Sequence, residues 1–247
     1  MTTQTNNFWL DANWPAPNNV HAGTSIRTGG YSKKPYDALN LALHVGDAAD
    51  NVKKNRSTLS KHLKLQSEPV WLNQIHSSKI ISIDTPSDNL DADASLTTKQ
   101  NKICVVMTAD CVPILFCNQN GTKVAAIHAG WKGICNGIIE NAIKAFSQPQ
   151  TILAWIGPCI GKDYYEIGKD VYESCLGHSN SLKNAFRQTD TVHWQADLTI
   201  MAKIILKKEG VGSIHECGLC TYKMDKMFYS YRRDGHTGRT ASMIWME

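Results

Sequence analysis

A chain of 247 residues that is 42% hydrophobic and 19% charged has ordinary globular composition, enough for one large core or two small ones. The formal net charge of +4 is modest and its lysines are scattered rather than blocked, which argues against nucleic acid as a partner. No apolar run reaches membrane-spanning length, because Asp110 interrupts the best candidate.

The N-terminal stretch MTTQTNNFWLDANWP lacks the basic start and apolar centre of a secretory signal, so a cytoplasmic location is expected. The eight cysteines are accordingly read as free thiols in a reducing compartment. Cys104, Cys117 and Cys159 sit in apolar strand-like runs, where a thiol behaves as a small hydrophobe. The lone C-x-x-C, Cys217 with Cys220, lacks the second pair that a structural zinc site needs.

In chain order, Arg27 follows a short strand-like piece and precedes Gly29-Gly30, a turn whose amides suit an anion. Asp50 is the expected N-cap of a helix through Leu65, with Val52, Leu59 and Leu63 near one face. VWLNQIHSSKIISID reads as two strands about a short turn carrying His76. The segment from Asp84 to Thr98 is acidic and loop-like, and NKICVVM is a buried strand.

Next comes the stretch from Thr108 to Gly137, where PILFC and KVAAI flank Asn120-Gly121, a strong hairpin signal. Asp110 and Cys111 precede the first run and His128 follows the second, so pairing would bring Cys111 beside His128. AGWKGICNGIIENAIKAF is a glycine-rich lead into an amphipathic helix, with Lys132 near its start. TILAWIG is a buried strand, Val171 to Leu176 a short helix, and Asp197 the cap of LTIMAKIILKK. VGSIHE is a strand. MFYSYRRDGHTGRTASMIWM reads as a strand, a basic turn holding Arg232, Arg233, His236 and Arg239, and a final strand. No repeat, linker or composition break appears, so a single mixed domain over residues 1–247 is expected.

Three residues at strand ends carry the chemistry: His76, Cys111 and His128. Two imidazoles and a thiolate suit a borderline-soft ion such as zinc and leave a fourth position open. The same residues also read as a Cys111 nucleophile with His128 as base, or as buried structural groups. Spacing alone leaves these open: there is no H-E-x-x-H, and Ala129 and Gly130 after His128 break the zinc-deaminase signature. None of the nine histidines forms the H-x-H pair of a multicopper relay.

TADCVPILF, AAIHAGWKG, WIGPCIG with YYEIG, and FYSYRRDGHTGR resemble, in order, the blocks of the YfiH-type laccase-domain (polyphenol-oxidase-like) family. SIRTGGYS with LNLALHVGD, and LNQIHS, are similar to its N-terminal blocks, so the resemblance runs from about Ser25 to Trp245. It implies an α/β (α+β) fold, a layered α/β/β/α domain with mixed sheets, related to the deamidase domain of cytotoxic necrotizing toxins. It implies zinc held by His76, Cys111 and His128, and phosphorolysis of adenosine, inosine and S-methyl-5'-thioadenosine with adenosine deamination as a side activity. Under that chemistry Arg27, Arg56, Lys132, Arg233 and Arg239 are candidate phosphate or substrate anchors, and Asp110 a candidate catalytic group orienting a zinc ligand. Partners would be purine nucleosides and phosphate, with neither nucleic acid nor membrane, on a monomer or weak homodimer. The alternatives are phenol oxidation with Cu2+ in vitro, a cell-wall-precursor amidase using Cys111 and His128, and a non-enzymatic binding module.

Overall fold

The computed structural model describes residues 5, 6 and 8–247, with side chains from Phe8 onward. Two six-stranded sheets stack face to face, each backed by helix. The hairpin strand Val112–Asn118 shows why. Its alternate side chains Val112, Ile114 and Phe116 point to the helices, whereas Leu115 and Cys117 meet the other sheet. A strand covered on both faces must be apolar throughout, which explains the unbroken runs in the sequence.

The first sheet runs, in spatial order, Thr5–Asn6, Trp9–Asp11, Val20–Ser25, Thr240–Met246, Cys104–Thr108 and Val70–Trp71. Helix Ala49–His62 places Leu59 in the cluster on its outer face, with Val105, Met107 and Met243. The second sheet runs Ser213–Glu216, Ile152–Ile156, Val112–Asn118, Val124–Ala129, Ala94–Thr97 and Ile80–Ser82. Helices Ile138–Lys144 and Leu198–Lys208 cover its outer face through Ile138, Ile139, Ala142, Met201 and Ile205. The order helix, sheet, sheet, helix is the layered mixed α/β arrangement expected. A three-stranded sheet of Glu166–Gly168, His193–Ala196 and Phe186–Gln188 lies beside these layers. No helix among the described residues is long and apolar enough to cross a membrane.

The central hairpin forms as the Asn-Gly signal indicated. Asn118 Oδ1 accepts from the Thr122 and Lys123 amides, and Gly121 takes a positive φ of 61° in the turn. The register pairs Val112 with Ala129 and Pro113 with His128. Asp197 caps its helix, its Oδ1 accepting from the Ile200 amide at 2.9 Å.

Several local expectations are corrected. Asp50 is not the N-cap: Ala48 holds that position, and Asp50 lies in the first turn, where its charge favours the helix N-terminus. The helix closes at His62 rather than Leu65. The two strands flanking His76 belong to different sheets, so the segment crosses between layers instead of forming a hairpin. The Asp84–Thr98 segment is not all loop: Ala94–Thr97 is an inner strand of the second sheet. The amphipathic helix after His128 breaks into Trp131–Cys135 and Ile138–Lys144, because Gly137 adopts a left-handed φ of 84°. MFYSY is not a strand, and Tyr231–Asp234 is a helical turn capped by the Ser230 hydroxyl. Finally, Cys135 and Cys175 form a disulfide between two packed helices, which corrects the reading of every cysteine as free. The other six are free, with Cys104, Cys117 and Cys159 buried as expected.

Candidate metal centre

Three neighbouring strands of the second sheet end at one point. Cys111 immediately precedes strand Val112–Asn118, His128 lies near the end of Val124–Ala129, and Asp93 immediately precedes Ala94–Thr97. His76 reaches the same point from the crossing loop, held at a positive φ of 58°. Donor atoms of His76, Cys111 and His128 all lie within 4.8 Å of one another, with Cys111 Sγ 3.9 Å from His76 Nε2. His128 is buried, Cys111 half-buried and His76 exposed, so the group opens to solvent on one side.

The donor set fits zinc: two imidazoles and a thiol, close enough to converge on one ion and leave a position for substrate. Gly130 makes room for this approach. A Cβ there would lie 2.9 Å from Cys111 Sγ and 3.1 Å from His76 Cδ2, so only glycine fits without moving a donor. The local electrostatics favour a thiolate. Burial raises the Cys111 pKa, but the charge and hydrogen bond of His128, then His76, more than offset it, and the thiol is lowered well below its usual value. His128 moves the opposite way: burial lowers it, and Cys111 and Asp93 together raise it above the usual imidazole range. Burial likewise acts to raise Asp93, yet hydrogen bonds from His128 and Ser77 hold its carboxyl below the ordinary value.

The group forms one wall of a cleft of about 440 Å³, also lined by His44, Gln74, Asp110, Trp131, Lys132, Tyr165, Tyr231, Arg232 and Arg239. Of the expected residues, the structure brings together His76, Cys111, His128, Asp110, Lys132 and Arg239. It does not bring Arg27, Arg56 or Arg233 to this cleft. Arg27 stacks on Tyr229 and donates to the Asp37 and Asp225 carbonyls. Arg56 lies 3.7 Å over the Trp71 ring and donates to the Leu41 carbonyl. Arg233 points into its own loop, donating to the Thr221, Tyr222 and Phe228 carbonyls and to Asp234. Asp110 touches none of the three donors by hydrogen bond: its carboxylate accepts from Thr221 Oγ1 at 2.7 Å and from the Arg232 amide at 2.7 Å. It thereby ties the Tyr231–Asp234 turn to the hairpin.

Two functional candidates escaped sequence reasoning. Asp93 lay in a segment read as loop, and only the pairing of Ala94 with Ile127 sets it beside His128. Arg232 stood next to Arg233 in a presumed turn. In a helical turn successive residues diverge by about 100°. Arg232 therefore faces the cleft, stacked on Tyr165 at 5.1 Å and donating to the Glu166 carbonyl, while Arg233 turns away.

Comparison with known proteins finds likeness over nearly the whole chain. A family model described as multi-copper polyphenol oxidoreductase laccase matches residues 21–247. The chain is 43% identical over 235 residues to the Escherichia coli (strain K12) protein named purine nucleoside phosphorylase YfiH, covering 94% of this chain and 96% of that one. It is 42% identical over 242 residues to a Haemophilus influenzae protein named purine nucleoside phosphorylase, covering 96% and 99%. Among solved structures, Neisseria meningitidis protein NMB0706 superposes with a TM-score of 0.92 at 41% identity, covering 98% of this chain and all 100% of that one. YlmD from Geobacillus stearothermophilus gives 0.90 at 29% identity, covering 99% and 98%. The chain belongs to this laccase-like YfiH family.

Proposed function

On the premise of that membership, we propose that the protein is a zinc-dependent purine nucleoside phosphorylase acting on adenosine, inosine and S-methyl-5'-thioadenosine. The observation that carries the reading is a His76–Cys111–His128 donor group sharing one cleft with Lys132, Arg232 and Arg239. Its relatives' shared name, purine nucleoside phosphorylase, supports the same reaction class.

Phosphorolysis brings two anionic problems together: holding phosphate near the sugar and easing departure of the base. Lys132 on the helix after His128, with Arg232 and Arg239 on the C-terminal segment, offers cationic donors for phosphate. Both arginines have one nitrogen fixed by carbonyls, Arg232 on Glu166 and Arg239 on Thr237 and Gly238. Their forks are thus oriented before any anion arrives, which reduces the ordering cost of binding. Tyr165, Tyr231 and Trp131 provide flat apolar walls for a purine. The phosphate oxygen bonds to the anomeric carbon as the bond to the base nitrogen breaks, and the base leaves with those electrons. Zinc, when bound by His76, Cys111 and His128, would supply a Lewis-acidic centre in the cleft wall. Adenosine deamination at the same cleft, exchanging the C6 amino group for oxygen from water, is a side activity under this reading.

The test is direct. Zinc-loaded protein should release hypoxanthine from inosine only when phosphate is present, with ribose 1-phosphate as co-product. Base release that ignores phosphate refutes phosphorolysis. Phenol oxidation by the copper-loaded protein without nucleoside turnover would favour the oxidase reading instead.

A further inference from the structure

We infer that Asp93 is the positioning residue of the centre: one buried carboxylate sets both the donor nitrogen of His128 and the turn that presents His76. The inference rests on the reading of His76, Cys111 and His128 as metal ligands. Asp93 is fully buried, at 0% exposure, and every hydrogen-bond partner of its carboxylate is a donor from a ligand or its neighbour. Oδ1 lies 2.8 Å from His128 Nδ1 and accepts the His76 amide at 3.0 Å. Oδ2 accepts the Ile75 amide at 3.3 Å, and the Ser77 amide and hydroxyl, the latter at 2.7 Å.

Two consequences follow from donor and acceptor chemistry. An ionised carboxylate only accepts, so the proton on His128 must sit on Nδ1. In the neutral ring Nε2 then carries the lone pair that metal ligation requires. The second concerns His76. Three successive amides, Ile75, His76 and Ser77, converge on the same carboxylate and hold a backbone whose φ of 58° is uncommon for a side-chain-bearing residue. Converging backbone amides form a nest for an anion, and here the anion is built into the chain. The Asp93 carbonyl also accepts the His128 amide at 2.7 Å, so the main chain locks the same pair in register.

The requirement for aspartate is specific. An asparagine of the same shape must put its amide nitrogen at one of the two oxygen positions. At Oδ1 it would face the His76 amide and force His128 to protonate Nε2, removing the donor. At Oδ2 it would face the Ile75 and Ser77 amides and open the turn beneath His76. Either orientation damages one ligand.

The experiment uses the full-length chain loaded with zinc and labelled with 15N-histidine. Wild type should show a slowly exchanging proton on His128 Nδ1. Asp93→Asn should weaken zinc binding about 10–100-fold in competition with a chromophoric chelator. In the metal-free variant, at a pH where the imidazole is neutral, an amide nitrogen turned toward His128 should move the ring proton to Nε2, whereas one turned toward the Ile75–Ser77 turn should free those two backbone amides to exchange. Either change is confined to one ligand, which loss of packing alone would not produce. Zinc-loaded wild type lacking a proton on Nδ1, or an Asp93→Asn chain binding zinc as tightly as wild type, overturns the inference while leaving the metal reading intact. If Asp93→Asn does not fold, the wild-type spectrum decides alone. Wild type that binds no zinc sinks the metal reading itself, and the inference falls with it.

Discussion

Gly130→Ala isolates the geometry of the centre from the stability of the fold. Gly130 has φ −72° and ψ 164°, a conformation open to any L-residue, so alanine introduces no backbone strain. Its Cβ would nevertheless stand 2.9 Å from Cys111 Sγ and 3.1 Å from His76 Cδ2. Non-bonded contacts settle at about 3.5–4.0 Å, so the donors must retreat by roughly 0.5–1 Å. Metal–ligand distances tolerate only about ±0.2 Å. Disturbing the groups that hold metal ligands in place costs about 10–100-fold in metal affinity. That is about 1.4–2.8 kcal/mol of zinc-binding free energy. The fold itself should change less. Crowding costs about 1–3 kcal/mol, offset by about 0.4–1 kcal/mol from the stiffer unfolded chain. The assay is zinc affinity by chelator competition, read beside the metal-free melting temperature. Gly177→Ala is the control: it lies in helix Lys169–His178 with nothing within 4 Å of the added carbon. That change should stabilise the fold by about 0.5–1 kcal/mol and leave zinc affinity unaltered. Gly130→Ala binding zinc as tightly as wild type would refute the argument that this glycine makes room for the donors.

Two further outcomes follow from the arginine pair and the thiol. Arg232→Ala should raise KM for phosphate with little change in melting temperature. Arg233→Ala, which strips donors from three carbonyls, should leave that KM unchanged and cost about 2 kcal/mol, a fall in Tm of roughly 4–8 °C; the opposite pattern reverses the assignment. In metal-free protein the lowered Cys111 pKa keeps the thiolate populated below the ordinary thiol value of about 8.5. Iodoacetamide should therefore modify Cys111 at neutral pH at a rate nearly flat between pH 7 and 9, falling only as acid protonates the sulfur. A rate that climbs tenfold per pH unit across that range contradicts the lowered value.

Strongly patterned segments were readable directly from the chain. The Asn120-Gly121 hairpin carries its own turn chemistry and two apolar flanks, so its register, and hence the meeting of Cys111 with His128, followed from local rules. The same holds for the Asp197 cap, whose helix shows both a start and a stop signal. Misreadings arose where local signals were weak or contradicted by packing. The acidic residues before Ala94 masked an inner strand, since four residues provide too little alternation to recognise. The break at Gly137 interrupts a run whose apolar spacing continues through it.

Among cations the sequence could count candidates but not sort them. Arg27, Arg56 and Arg233 meet carbonyls and aromatic rings away from the cleft, Arg27 on the distant Asp225 carbonyl and the other two on partners within their own stretches of chain. Arg232 arrives at the cleft because the buried Asp110 carboxylate receives the Thr221 hydroxyl and the Arg232 amide, and Arg239 because its amide is held by Asn40 Oδ1. The sequence alone made the family legible, through its ordered motif blocks, and that resemblance implied the layered α/β class and pointed to His76, Cys111 and His128, which the structure gathers within 4.8 Å of one another. Tertiary structure alone decided which carboxylate serves the donors and which cations share their cleft. Asp93 and His128, like Cys135 and Cys175, meet only after strands and helices pack, and no spacing rule in the chain records that contact.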